Sequence, residues 1–324
     1  MRSSDKTSAL ESVDKVVDSG GPPHDGRQPT AVGHGALGGR LLVALAAVMW
    51  SSSGLFAKAT TFEVWPPEDR GVLLAFWRAA FAGLLLLPAV RRPKWDVKLV
   101  PLCVAFAAMN VTYLSAMTLT TAANAIWLQS TAPWWVFLVG VLVLGEPFAP
   151  RERLPLVVGG LGLAIILWFE VQGQARAGVL CGLVSGFSYA GVVLSLRALR
   201  GLDTVWIVAV AHLVTAAVIF PYMLYLNAWP TMVQLPVLAG FGLFQMALPY
   251  VFFARGLRSI TSQEATVIGL LEPILLPVWV YMAWEEVPAP WTLVGGGLIL
   301  AGLLLRYGVP LVRDRGRVGQ APRA

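Results

Sequence analysis

Charge is what this sequence has least of. Only 13% of its 324 residues are Asp, Glu, Lys or Arg, against about 25% in a soluble domain, so an ordinary water-facing globule is excluded. Cysteine is almost absent: Cys103 and Cys181 both fall inside apolar runs, which leaves neither a disulfide framework nor a metal site. No glycine-rich phosphate loop precedes a lysine, so the chain carries no Walker A of its own. An H-E-x-x-H helix and a G-x-S-x-G elbow are missing too. So are an arginine-rich voltage-sensing span and a TVGYG-like filter. The polar, acidic amino terminus predicts no cleavable leader. No cofactor is expected.

What is present is apolar. Hydrophobic residues make up 57% of the chain and the mean hydropathy is +0.69, the composition of a protein whose solvent is lipid. A bilayer core about 30 Å thick needs about 20 apolar residues per helix. Ten such spans are predicted, at about 40–60, 71–90, 99–118, 122–145, 154–169, 177–199, 205–226, 233–254, 262–283 and 291–307. Residues 1–38 are Ser-, Asp-, Gly- and Pro-rich without apolar periodicity and read as a disordered tail,; His24 and His34 lie in it. Residues 309–324 read as a basic tail. The formal charge of +6 does not indicate nucleic acid, because the basic residues sit in short loops between spans.

The chain is written twice. The stretch 121–150, TAANAIWLQSTAPWWVFLVGVLVLGEPFAP, has an echo at 261–290, TSQEATVIGLLEPILLPVWVYMAWEEVPAP. Pro133 and Pro273, Glu146 and Glu286, Thr121 and Thr261, and Pro150 and Pro290 all stand 140 positions apart. Upstream, Gly39 and Gly178, Trp50 and Tyr189, and Lys58 and Arg197 stand 139 apart. One copy spans 39–170 and the other 171–308, with five spans each. An odd number of spans per copy makes the second copy enter the membrane from the opposite side. The predicted fold is therefore an all-α integral membrane protein of ten transmembrane helices, arranged as two inverted five-helix repeats.

Loop charge sets the orientation. Arg91, Arg92, Lys94, Lys98, Arg151, Arg153, Arg197, Arg200, Arg255 and Arg258 share one set of alternate loops, and Arg306, Arg313, Arg315, Arg317 and Arg323 follow the last span. The opposite loops hold Arg70 and Arg176 with acidic Glu63, Glu68, Asp69, Glu285 and Glu286. The positive-inside rule then puts both termini in the cytoplasm, and the expected location is the plasma (inner) membrane.

A few residues stand out as chemistry. Pro133 and Pro273 each remove a helical hydrogen bond and crowd the carbonyls of Gln129 and Gly269, and their recurrence suggests paired hinges. Glu272, beside Pro273, is a carboxylate at mid-depth, where an uncompensated charge costs at least about 2.5 kcal/mol. Glu264 lies two turns nearer the mouth. Arg78 is the candidate partner of Glu272, and the three form the expected coupling or charge-pair set. His212 reads as a hydrogen-bonded interior residue. Trp50 and Ser53, Asn110 and Tyr113, and Ser185, Ser188 and Tyr189 share helix faces, as do Asn124, Trp127 and Thr131. Trp50, Trp127 and Tyr189 lie deeper than the span-end tryptophans that anchor a protein at the lipid interface. Gly159, Gly160 and Gly162, with Gly295, Gly296, Gly297 and Gly302, predict a close helix seam, usable also as the face of a homodimer.

Taken in order, AAVMWSSSGLFAK, FWRAAFAGLLLL, TAANAIWLQSTAPWWVFLVGVLVLGE and SQEATVIGLLEPILLPVWVYMAWEE resemble the drug/metabolite transporter superfamily, EamA type. The family's Trp-Gly of the first span stands here as Trp50-Ser51. The resemblance implies a central cavity lined mainly by the first, third, fourth, sixth, eighth and ninth helices. By that analogy Trp50, Tyr113, Trp127, Tyr189, Gln245 and Glu272 line it, beside Ser53 and Asn110. It also implies transport of a small metabolite, commonly export of amino acids or related compounds, rather than enzymatic activity, with the lipid bilayer and the small-molecule substrate as partners. The competing readings are a membrane-embedded lipid-modifying transferase, a non-transporting sensor or partner subunit, and, within transport, a nucleotide-sugar or phosphate-ester carrier.

Overall fold

In hydrocarbon every backbone N–H and C=O needs an internal partner, so an apolar chain of this kind folds into helices. The computed structural model describes residues 34–142, 150–171, 173, 175–199 and 201–309, and among them there is no strand. Glu146, Arg200 and most of both tails lie outside the described residues.

Among the described residues, ten helices are long and apolar enough to cross a membrane. They are α1 (Ala36–Ala57), α2 (Pro67–Ala89), α3 (Leu99–Leu119), α4 (Ala122–Leu142) and α5 (Pro150–Glu170), then α6 (Arg176–Leu196), α7 (Thr204–Leu226), α8 (Gln234–Gly256), α9 (Glu264–Trp284) and α10 (Pro290–Gly308). The predicted spans match these within a few residues.

The main packing pairs are α3 with α6, α5 with α10, and α2 with α7. Each joins one repeat to the other, so the two copies interleave. The α5–α10 pair explains the glycine seam. A Cβ on Gly162 would lie 2.3 Å from the Gly295 carbonyl oxygen, and one on Gly302 would lie 2.9 Å from that of Pro155. Gly162 and Gly302 stand 140 apart, as do Pro155 and Gly295, so one crossing is used twice. Gly160 and Gly297 face open space and take no part in the seam. The same economy appears at the helix ends. A Cβ on Gly39 would meet Ser259, and one on Gly178 would meet Leu119, the counterpart of Ser259 140 positions earlier.

Three spans are interrupted. In α4 the helix stops at Gln129 and resumes at Ala132, and in α9 it stops at Gly269 and resumes at Leu271. These two spans begin with a threonine cap: Thr121 accepts from the Asn124 N–H at 3.1 Å, and Thr261 from that of Glu264 at 3.2 Å. Both breaks precede the prolines, which sit in the first turn of the resumed helix, where a missing N–H leaves no vacancy. In α1 the break falls at Ser52, which the sequence reading did not anticipate. The Ser51 and Ser52 hydroxyls each donate at 2.6 Å to the carbonyls of Val48 and Met49, competing with the helical ladder.

Among the described residues two segments widen from α-helix to π-helix, Leu304–Gly308 at the end of α10 and one in α8. Phe241–Ala247 in the middle of α8 forms a π-helical turn, a wider geometry found most often at functional sites.

Candidate functional site

Among the described residues the most deeply buried charge is Arg78, mid-way along α2 and only 1% exposed. An uncompensated guanidinium there would be prohibitively costly, so its neighbours define the site. One terminal nitrogen donates to Gln245 Oε1 at 3.0 Å and the other to Asn110 Oδ1. The Cζ lies 5.1 Å from the centroid of the Phe241 ring, a cation–π distance. Gln245 and Phe241 both belong to the π-helical turn, which brings its amide and its ring to the same cation.

The network extends outward. Asn110 Nδ2 donates to the Phe106 carbonyl at 3.0 Å, and Gln245 Nε2 to that of Trp50 at 3.4 Å. The Trp50 ring is 5.3 Å from Tyr250 and 5.2 Å from Phe253. One turn along, the Ser53 and Tyr113 hydroxyls are 3.0 Å apart. Trp50, Ser53, Asn110, Tyr113 and Gln245, expected as binding residues, therefore gather around Arg78. Two further members were not expected. Tyr250 stacks edge-on against Trp50, and its ring centroid is 6.5 Å from that of His212. His212 is fully buried, lies 4.8 Å edge-on from Phe106, and has no hydrogen-bond partner on either nitrogen among the described residues. The expected hydrogen-bonded interior histidine is thus an unpartnered one.

Glu272 differs from the expected ion pair. Among the described residues Arg78 and Glu272 make no salt bridge: the guanidinium is already engaged by Asn110 and Gln245. Glu272 is half-buried, has no hydrogen-bond partner there, and lies within electrostatic range of Arg78, Tyr113, Tyr189 and Tyr250. Tyr189, in the middle of α6, is 39% exposed and shares that neighbourhood. The arrangement is a half-buried carboxylate and a partly exposed tyrosine beside a closed cationic network. Glu264, the other expected coupling charge, is joined to Arg40 of α1 at 2.6 Å.

Trp127 is turned elsewhere. It is 5% exposed, and a Cβ on Gly296 of α10 would fall 2.0 Å from its ring. Its Nε1 donates to the Pro273 carbonyl at 3.0 Å. The expected cavity-lining tryptophan is a packing residue that ties the two broken helices together. The Pro133 carbonyl is bound as well, by Arg306 at 2.8 Å, and Arg306 also pairs with Glu152 at 3.0 Å. The backbone irregularity is therefore concentrated at Ser130–Thr131 and at Leu270, ahead of each proline.

Two halves of opposed origin, interleaved in lipid around a buried polar cluster, define a polytopic membrane transporter. The model of the EamA-like transporter family matches residues 37–168 and again 176–308, and the chain belongs to that family. It is 27% identical over 277 residues to an uncharacterized transporter of Archaeoglobus fulgidus, spanning 83% of this chain and 96% of the other. Protein PecM of Dickeya dadantii is 24% identical over 268 residues, covering 78% and 88% of the two chains. A solved crystal structure superposes with a TM-score of 0.59 at 19% identity, over 84% of this chain and 96% of that one, a likeness of fold alone.

Proposed function

We propose that this membrane transporter is a secondary carrier that exports amino acids or related amphipathic compounds by alternating access. It resides in the plasma (inner) membrane with both termini in the cytoplasm, the sense in which the arginine-rich loops face inward. The observation that carries the reading is the central cluster itself, built by both repeats. Arg78, Asn110 and Ser53 come from the first, Gln245, Tyr250 and Glu272 from the second. A zwitterionic solute offers a carboxylate and an ammonium. Glu272, which lacks an ion-pair partner, suits the ammonium, and the Tyr113, Tyr189 and Trp50 rings suit an apolar or aromatic body.

Alternation would come from the two repeats rocking about the breaks at Ser130–Thr131 and Leu270, with the proline carbonyls held by Arg306 and Trp127. A midplane site between repeats at broken helices is the arrangement such carriers use. Glu272 is the coupling residue in this scheme, taking a proton when the solute leaves.

Counterflow in proteoliposomes tests the proposal, with labelled amino acids, sugars and organic cations presented with and without a pH gradient. Wild-type uptake of an amino acid that needs the gradient, and is lost in Glu272→Gln, is the expected result. Uptake indifferent to both would reduce Glu272 to a structural residue and the protein to a facilitator. Failure to move any small solute would return the non-transporting reading.

A further inference from the structure

A concavity lies away from the central cluster, between the ends of α2 and α8 and the start of α7. Its volume is about 840 Å3, and it is lined by Arg91 and Arg92 after α2 and by Arg255 and Arg258 at the end of α8. None of the central-cluster residues lines it. All four arginines are exposed, and among the described residues none of their guanidiniums makes a hydrogen bond or an ion pair. Four like charges around one cleft repel one another unless an anion joins them.

Asp203, the single acidic residue among the described residues of the lining, does not serve as that anion. Its carboxylate accepts from the backbone N–H groups of Arg91 at 3.2 Å, Arg92 at 3.3 Å and Val205 at 2.9 Å. Those bonds hold the backbone of the first arginine pair against the start of α7 and leave the guanidiniums unengaged. The remaining wall, including Pro88, Ala89, Val251 and Leu257, is apolar. The cleft therefore offers a cationic rim beside an apolar wall.

We infer that this cleft is a binding site for a phosphate-bearing anion. Guanidinium forks match phosphate oxygens in bidentate fashion, and basic pockets between transmembrane helices at the membrane boundary hold anionic headgroups. The phosphate belongs either to an anionic phospholipid of the surrounding leaflet or to a soluble phosphate ester. The site lies outside the proposed transport path, so its occupancy does not depend on the nature of the cargo.

The test uses the full chain in neutral maltoside micelles at fixed ionic strength. Binding of fluorescent phosphatidylglycerol is read by anisotropy against phosphatidylcholine, and glycerol phosphate and inorganic phosphate are titrated by calorimetry. Saturable binding of at least one phosphate-bearing probe is expected, weakened by about tenfold or more in Arg92→Gln/Arg258→Gln. Arg151→Gln, which removes an exposed arginine 86% accessible and outside the cleft, should bind as wild type. Phosphatidylglycerol alone binding would assign the lipid as the source; a soluble phosphate alone would assign the solute. Phosphatidylcholine binding as well as phosphatidylglycerol, or equal weakening in Arg151→Gln, would overturn the site, and so would an absence of saturation with every probe. If the double variant does not fold, Arg258→Glu alone supports the same comparison.

Discussion

The two repeats share a backbone and differ in chemistry. Thr121 and Thr261 cap the same helix start, the spans break at the same place, and Gly162 and Gly302 make the same crossing from opposite sides. The charged and amide residues at the centre are single copies. Glu272 stands opposite Ala132, Gln245 opposite Ala105, and Asn110 opposite Tyr250, each at the offset of 140. The helix α7, counterpart of α2, carries no Asp, Glu, Lys or Arg at all. In the proposed carrier, duplication would supply the two equivalent halves that a rocking motion needs. The asymmetric residues would supply the one defined orientation that a small, unsymmetrical solute needs.

That division predicts which substitutions should act alike in the two copies and which should not. The largest effect is expected at the unduplicated centre. Arg78→Ala leaves the Asn110 and Gln245 carbonyls without their donor, each loss costing about 1–3 kcal/mol, and abolishes counterflow. Arg78→Lys, with a single ammonium in place of the fork, should recover folding better than transport. Thermal unfolding and counterflow of the two variants check this. Equal transport by both would mean that the guanidinium geometry is irrelevant.

Next come the duplicated glycines. Gly162→Ala and Gly302→Ala each push a methyl against backbone of the facing helix and should destabilise by a similar amount, about 1–3 kcal/mol. Gly160→Ala and Gly297→Ala point into open space and should be neutral or slightly stabilising, since alanine is the better helix former. A difference between the members of the first pair larger than that between pairs would break the symmetry argument. Smaller again is Trp127→Phe, which removes the bond to Pro273 and has no counterpart, Val267 standing at the equivalent position. A loss of about 1 kcal/mol is expected, with a larger effect on the rate of counterflow than on substrate affinity, because the bond joins the two broken helices.

Much of this was legible in the sequence, and the rest failed for identifiable reasons. Span number, the glycine seam and the shared face of Asn110 and Tyr113 follow from hydropathy and spacing, which report the backbone; Gln245 entered only through the family resemblance. The pairing of Arg78 with Glu272 did not follow. Depth alone matched the two charges, whereas the rotation of α8 set by its π-helical turn placed Gln245 at the guanidinium instead. Trp127 was misassigned for the same reason: its depth suits a cavity, but the missing side chain of Gly296 draws the indole toward α10. Tyr250 was readable and missed, since the offset of 140 from Asn110 leads to it directly. The unpartnered nitrogens of His212 left no trace in the pattern, because a partner's absence depends on every neighbouring helix at once.

The smallest predicted effect lies in the loops, where the repeats also part. Among the described residues the α7–α8 connection carries no charged tie to the other repeat: Asn227 adopts a left-handed conformation with φ 49° and accepts from Trp229 Nε1 at 2.9 Å, and the Trp229 ring centroid lies 6.3 Å from that of Trp77. Its counterpart between α2 and α3 is held by the other repeat, through Asp203 at Arg91 and Arg92 and through Trp206 Nε1 at the Lys94 carbonyl, 2.8 Å away. Burial pushes the Asp203 carboxyl upward, but the N–H bonds from Arg91, Val205 and Arg92 outweigh it and hold the group below its ordinary value of 3.8. A carboxyl lowered by folding contributes stability above its unfolded value and loses it as the pH falls through the folded one. Asp203→Ala should therefore cost up to about 1 kcal/mol at neutral pH, the range of a lost helix cap discounted for its exposure. The gap in unfolding midpoint between variant and wild type should close as the pH is taken below 3.8. Asn227→Ala, in the loop without a carboxylate tie, should show no such pH dependence. A gap that persisted in acid would mean that Asp203 acts by packing, and that the cross-repeat tie is not made by its charge.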